Sequence, residues 1–178
     1  AIENGSVRSQ NNLGLCYFEG KGIEQDYKQA IYWFTQAANQ GNARAQNNLG
    51  HSYYEGLGVE QDYKTAAYWF IKSAEQGDVL AQSSMGICYM FGHGVEKDES
   101  KAVEWYTKAA NQGHLKAMHN LGVCYEFGEG IEKSMEKAIE WYTKSAEQGY
   151  APAQCNLAYC YDEGIGVEQS YQKAAEWY

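Results

Sequence analysis

Proline is almost missing from this sequence, with one residue in 178. Its 19 glycines therefore mark recurring turns rather than a proline-rich, low-complexity linker. Positive charge is in deficit as well: 14 Lys and Arg stand against 23 Asp and Glu, a formal charge of −9. That balance argues against nucleic acid, which needs clustered Lys and Arg, and against an anionic membrane surface. No apolar run approaches the roughly 20 residues of a membrane span, so no membrane insertion is expected. A signal-peptide pattern and an initiator Met are both lacking, which fits a fragment or a processed product. The five cysteines form no C-x-x-C pair. Gly-x-Gly loops such as Gly20-Lys21-Gly22 lack both a preceding strand and a G-K-[ST] sequel, so they are turns and not phosphate loops. No cofactor and no metal is expected.

What is present is a core-sized chain, 44% hydrophobic, with 16 Tyr and 5 Trp. Sixteen tyrosines suggest one packing position used repeatedly. Self-comparison shows it: Leu13, Leu49, Met85, Leu121 and Leu157 are each 36 apart, as are Tyr17, Tyr53, Tyr89, Tyr125 and Tyr161. Trp33, Trp69, Trp105, Trp141 and Trp177 keep the same step, and so do two glycine ladders that start at Gly20 and Gly22. No insertion breaks the register. The chain reads as a single domain, 1–178, of five helix-turn-helix repeats, at about 9–44, 45–80, 81–116, 117–152 and 153–178, the last truncated.

Within the second repeat the spacing predicts a first helix over about 43–55 with Ala45, Leu49, Ser52 and Tyr53 on one face. Gly56 is suited to end it in the left-handed conformation. Asp62 then caps a second helix, in a register shared by Asp26, Asp98, Ser134 and Ser170. That helix is expected to bury Ala66, Trp69, Phe70 and Ser73. Mid-helix Gly50, Gly86 and Gly122 each cost about 1 kcal/mol relative to Ala, so a second helix must come close there. Large aromatics opposite small residues would let neighbouring repeats interlock.

The motif A-x-x-x-L-G-x-x-Y-x-x-G-x-G-V-x-x-D followed by K-A-x-x-W-Y-x-K-A-A-x-Q-G resembles the Sel-one-like repeat, a sub-type of the tetratricopeptide superfamily. In the fourth repeat it reads Ala117-Met118-His119-Asn120-Leu121-Gly122, then Tyr125, Gly128, Gly130 and Ile131, then Ala138, Trp141, Tyr142, Lys144 and Gly149. The resemblance covers about residues 9–178. It implies an all-α fold, an α/α solenoid coiled as a right-handed superhelix, and an adaptor that assembles other proteins. Some cysteine-rich bacterial members join the two helices of a repeat by a disulfide. Here Cys16, Cys88, Cys124 and Cys160 occupy the first position and Ala38, Ala110 and Ala146 the second, so that bridge is absent and reduced thiols are expected. Reduced thiols lean towards the cytoplasm; a periplasmic or secreted location stays open.

The resemblance also implies that the face of each first helix opposite its core leucine looks into a concave groove. In steps of about 100° from Leu49, that face carries Arg44, Asn47, His51, Tyr54 and Glu55. The same positions are Arg8, Asn11, Leu15, Phe18 and Glu19 in the first repeat, and Leu80, Ser83, Ile87, Met90 and Phe91 in the third. They are Lys116, His119, Val123, Glu126 and Phe127 in the fourth, and Pro152, Cys155, Tyr159, Asp162 and Glu163 in the fifth. A polar ladder of Asn12, Asn48, Ser84, Asn120 and Asn156 flanks them. An apolar strip rimmed by polar groups marks a binding site, and Asn can pair with both backbone N–H and C=O of a peptide. The expected partner is another protein or a peptide. The chain itself is expected to be monomeric, with end-to-end stacking as the alternative.

Three chemical signals compete with this reading. Ser134-Met135-Glu136-Lys137 spells S-x-x-K, a penicillin-binding signature, and some cysteine-rich relatives are linked to β-lactamase activity. But Ser170-Tyr171-Gln172-Lys173 repeats it in the N-cap register, and no S-D-N or K-T-G partner exists. His119 and Cys155 share one register and could be neighbours, yet no third ligand or orienting group accompanies them. Asn4-Gly5-Ser6 matches a glycosylation sequon, a triplet common by chance. The sequence thus describes a non-enzymatic scaffold, with a weak β-lactamase-type hydrolase or a purely structural spacer as alternatives.

Overall fold

The structure, a computed structural model, describes residues 6–178. Asn4 of the sequon lies outside them. Among the described residues there are ten helices and no strand. They fall into two compact units that divide after Lys97, inside the third repeat. The first holds α1 (Val7–Glu19), α2 (Tyr27–Asn39), α3 (Ala43–Glu55), α4 (Tyr63–Glu75) and α5 (Val79–Phe91). The second holds α6 (Glu99–Asn111), α7 (Leu115–Phe127), α8 (Met135–Ala146), α9 (Ala151–Glu163) and α10 (Tyr171–Trp177). Within each unit every helix packs on the next in sequence.

The expected punctuation is where these helices start and stop. The Asp26, Asp62 and Asp98 carboxylates and the Ser134 and Ser170 hydroxyls accept backbone N–H bonds at the N-caps of α2, α4, α6, α8 and α10. Gly56 closes α3 at φ 74°, and its N–H donates to the Ser52 carbonyl. Two residues on, Gly58 has a different reason to be glycine. A Cβ there would lie 2.7 Å from the Tyr27 carbonyl, so this loop rests directly on the first turn of α2 in the preceding repeat.

The mid-helix glycines mark close approach, as expected, but the partner differs. A Cβ on Gly50 would sit 2.7 Å from the ring of Phe70 on the second helix of the same repeat. Gly14 meets Phe34 and Gly122 meets Tyr142 in the same way. Phe34, Phe70, Tyr106 and Tyr142 are the fully buried aromatics of the second helices. The tryptophan expected to be buried beside them is only half-buried at Trp69, as at Trp33, Trp105 and Trp141. One residue is 100° of helix, so a stripe centred on Ala66, Phe70 and Ser73 leaves Trp69 at its edge. From there Trp69 packs over the core that α2 and α3 make with Phe34, Ala38 and Leu49. Trp69 thus helps to join its repeat to the one before, while Gly14, Gly50 and Gly122 serve packing inside their own repeats.

A ladder not singled out in the sequence joins repeats through polar atoms. Gln46 Nε2 donates to the Ala38 carbonyl at the end of α2, and Gln154 Nε2 does the same to Ala146 at the end of α8. Gln40 and Gln76 donate to the Oε1 atoms of Gln10 and Gln46. The Ala38 and Ala146 carbonyls, which already accept the Gly41 and Gly149 N–H groups, thereby gain a second donor from the next repeat.

Candidate functional site

The expected groove face falls in both units, and each is taken by itself. In the first unit the faces of α1, α3 and α5 enclose three adjoining hollows. The largest, about 500 Å³, is lined by Asn11, Leu15, Arg44, Asn47, Asn48, Asp78, Val79 and Leu80 among others. A second, about 260 Å³, adds Phe18, Glu19, Phe34 and His51. A third, about 330 Å³, lies between Arg8, Asn11, Asn12, Asn42, Ala43 and Arg44. The first shares Leu15, Asn47, Asn48 and Leu80 with the second and Asn11 and Arg44 with the third, so the three adjoin along one trough.

Exposure across this trough follows angle around the helix. Measured from the core leucine in steps of about 100°, the residues at about 140–160° are mostly buried. They are Asn11, Asn47, Ser83 and Met90, with Phe18 and Tyr54 half-buried. Those at about 200–240° are open: Arg8, Arg44, His51, Leu80, Glu19, Glu55 and Phe91 are exposed, Leu15 and Ile87 half-buried. Met90, at 7% exposure, belongs to the floor, whereas Leu80 at 55% and Phe91 at 64% stand free. Phe91 lies along the His93 ring, which in turn stacks on Tyr63 and meets the Tyr54 hydroxyl at 2.7 Å through Nδ1. Burial pushes the Tyr54 phenol up to about 12, so it stays protonated.

The asparagine ladder bonds sideways from one first helix to the next. Asn48 Nδ2 on α3 donates to Asn11 Oδ1 on α1, a step of 37 residues. The next rung would come from position 84 to Asn47, but Ser84 is too short an occupant to supply an amide donor. Asn47 is only 8% exposed, and its Oδ1 has no hydrogen-bond partner. A buried acceptor left so costs about 1–3 kcal/mol. The Asn47 side chain itself lines two of the hollows.

In the second unit the same rung exists in another form. Asn156 Nδ2 on α9 lies 3.3 Å from His119 Nε2 on α7, and His119 Nδ1 lies 3.3 Å from Asn120 Oδ1. An amide oxygen only accepts, so Nδ1 carries the proton and Nε2 accepts from Asn156. The ring packs against Tyr142 and Tyr150, and burial lowers its pKa, keeping it neutral. Both nitrogens are thus committed to amides, while Cys155 is exposed; the His–Cys pair of equal register is not assembled as a base and a nucleophile. Tyr142 donates to Glu126 Oε2 at 2.6 Å, and burial first, then this bond, raises its pKa. Of the open-face residues here, Phe127 is 64% and Tyr159 51% exposed, and Val123 is half-buried.

The remaining chemical signals resolve into structure. Ser134 and Ser170 accept from the Lys137 and Lys173 backbone N–H groups, and the two ammonium groups lie over the rings of Tyr125 and Tyr161. The five cysteines are free thiols. Burial raises Cys88 and Cys124 to about 12 and Cys160 to about 11, far from thiolate character at neutral pH. Among the described residues no cluster of three His, Cys, Asp or Glu could hold a metal ion, and no helix is long and apolar enough to cross a membrane.

The Sel1 repeat family model matches this chain five times, over residues 7–42, 43–78, 79–114, 115–150 and 151–178. The chain belongs to the Sel1 repeat family. A Sel1 repeat protein from Oxalobacter formigenes is 37% identical, with a TM-score of 0.91 over 97% of this chain and 70% of that one. A protective antigen with this repeat fold from uropathogenic Escherichia coli is 36% identical, with a TM-score of 0.87 over 98% of this chain but only 38% of its own length. An immunity protein from Pseudomonas aeruginosa, 22% identical, matches at a TM-score of 0.65 over 98% of this chain and 64% of that one, a likeness of fold alone. None of the curated proteins matches this chain. Sel1 repeat proteins generally act as protein-interaction scaffolds and are typically not enzymes.

Proposed function

We propose that this Sel1 repeat chain is an interaction scaffold that receives an extended peptide segment of a partner protein in the trough on α1, α3 and α5. The observation that carries this reading is the missing rung of the asparagine ladder. Asn47 keeps an unpaired buried acceptor beside an apolar hollow of about 500 Å³. A backbone N–H of the occupant supplies the donor that Ser84 does not. Leu15 and Leu80 then receive an apolar side chain, and Phe91 extends the apolar wall. Interface energy concentrates on a few such anchors. In the second unit His119, Asn120, Val123, Phe127 and Tyr159 are proposed as contact residues of that unit's own face.

The test is selection of short random peptides on the full chain, followed by titration of an enriched peptide against variants. Ser84→Asn should weaken binding by about tenfold, because it fills the rung from within. Phe91→Ala should weaken it by about 2 kcal/mol with little change in helicity. An enriched peptide indifferent to both substitutions would place binding elsewhere on the chain.

A further inference from the structure

The chain has only two arginines, Arg8 and Arg44, and both line the same hollow at one end of the trough. Arg8 is on the first turn of α1 and Arg44 on the first turn of α3, one repeat apart. Both are exposed, and among the described residues neither has a carboxylate within ion-pair distance. Among the described residues no acidic one lines this hollow; Glu19 pairs with Lys21 at 2.6 Å, and Asp78, the cap of α5 that accepts the Ala81 N–H, lines the adjoining one. The hollow also abuts the amino end of α3, where the helix dipole is positive. In a chain of net charge −9 this is a local reversal of sign.

We propose that the trough selects peptides with an acidic side chain, an Asp or Glu held between Arg8 and Arg44, next to the backbone amide that pairs with Asn47. The inference rests on the reading above, since it deepens the same site. Guanidinium binds a carboxylate through paired, charge-assisted hydrogen bonds, and Asn12 and Asn42 add amide and backbone partners at the rim. Leu15 and Leu80 line the adjoining hollow together with Arg44 and Asn47, so the preferred segment places an apolar residue close to the acidic one and to the backbone contact. The source of the carboxylate is a side chain within the segment. The arginine end of the trough is lined by exposed Arg8, Asn12 and Arg44, so the peptide can continue past it. The negative charge of the rest of the chain slows approach of such a peptide, but screening over about 8 Å at physiological salt leaves the contact pair intact.

The experiment uses the full chain and a display library of random peptides. The best enriched peptide is then made as fluorescent copies with each Asp or Glu replaced by Asn or Gln, and with its C-terminus free or amidated. Enrichment of acidic peptides, with one replacement costing about tenfold or more in affinity, is the expected result. Arg8→Gln and Arg44→Gln together should remove that preference without changing the circular dichroism spectrum, since both side chains are exposed. Amidation should have no effect; a loss on amidation would assign the arginines to a chain terminus and overturn the proposal. Neutral peptides that bind and are lost with Ser84→Asn would also overturn it, while leaving the scaffold reading in place. Failure of any peptide to bind would remove both.

Discussion

Gly50 and Phe70 meet at a distance that makes each indispensable to the other. Alanine at 50 gains about 1 kcal/mol of helix propensity but forces a methyl to within 2.7 Å of the Phe70 ring, and overpacking of this kind costs about 1–3 kcal/mol. Gly50→Ala should therefore lower the urea midpoint. Phe70→Ala should lower it further, by roughly 3–5 kcal/mol, because a fully buried ring is deleted. Lys108→Ala, on the exposed side of Trp105, should cost well under 1 kcal/mol. Reversal of that order would contradict the assigned faces. The histidines give a second test at this scale. Burial lowers the pKa of His119 and of His114, whose Nδ1 caps α7 by accepting the Ala117 N–H. A folded pKa below the unfolded value of about 6.5 means the unfolded chain binds protons first. Their contribution is whole above about pH 6.5 and is lost as pH falls towards the folded values. Thermal melts should show stability dropping below pH 6.5, and His114→Asn with His119→Asn should flatten that drop. A drop unchanged in the double variant would assign it to other groups.

Helix limits were legible because capping chemistry is local. The first helix of the second repeat, read as about 43–55, is α3 at Ala43–Glu55. The S-x-x-K serines, legible as caps from their register, accept the Lys137 and Lys173 N–H groups. Ser134→Ala should lose about 1 kcal/mol and Ser134→Asp should keep it; a coloured β-lactam should remain unhydrolysed by the parent and by both variants. Burial within an element was less legible. A 100° step cannot say which flank of a helix a neighbour covers, so the spacing alone puts Trp69 in the core stripe, whereas it stands at the edge. For the same reason the spacing sets Asn47 and Met90 among open-face residues, although both are buried. The Gln10, Gln46, Gln82 and Gln154 ladder was visible at spacing 36, yet a polar residue in a helix reads as solvated until its carbonyl partners across the repeat junction are known.

At the scale of the whole chain, what repeats encodes the fold and what departs from the repeat encodes the site. Leucine, tyrosine, tryptophan and glycine ladders recur in every repeat, and they suffice to place the chain in its class. Arg8 and Arg44 share one register, from which Leu80 and Pro152 depart, and Ser84 alone interrupts the asparagine register; a single sequence gives no means of telling such a departure from drift. Only the three-dimensional structure shows that the two arginines share a hollow and that Ser84 leaves the Asn47 acceptor unpaired. The chain spans 38% of the length of the Escherichia coli antigen, so the proposed trough concerns this segment's own surface. Calorimetric titration of an enriched peptide into the parent chain and into Ser84→Asn, with a thermal melt of each, tests the central claim most directly. The substitution should raise stability by about 1 kcal/mol by completing the ladder and weaken peptide binding about tenfold by taking the same acceptor. Equal affinity for the two proteins, with the longer amide side chain accommodated in a folded chain, would contradict the claim that Asn47 is where a partner's backbone binds.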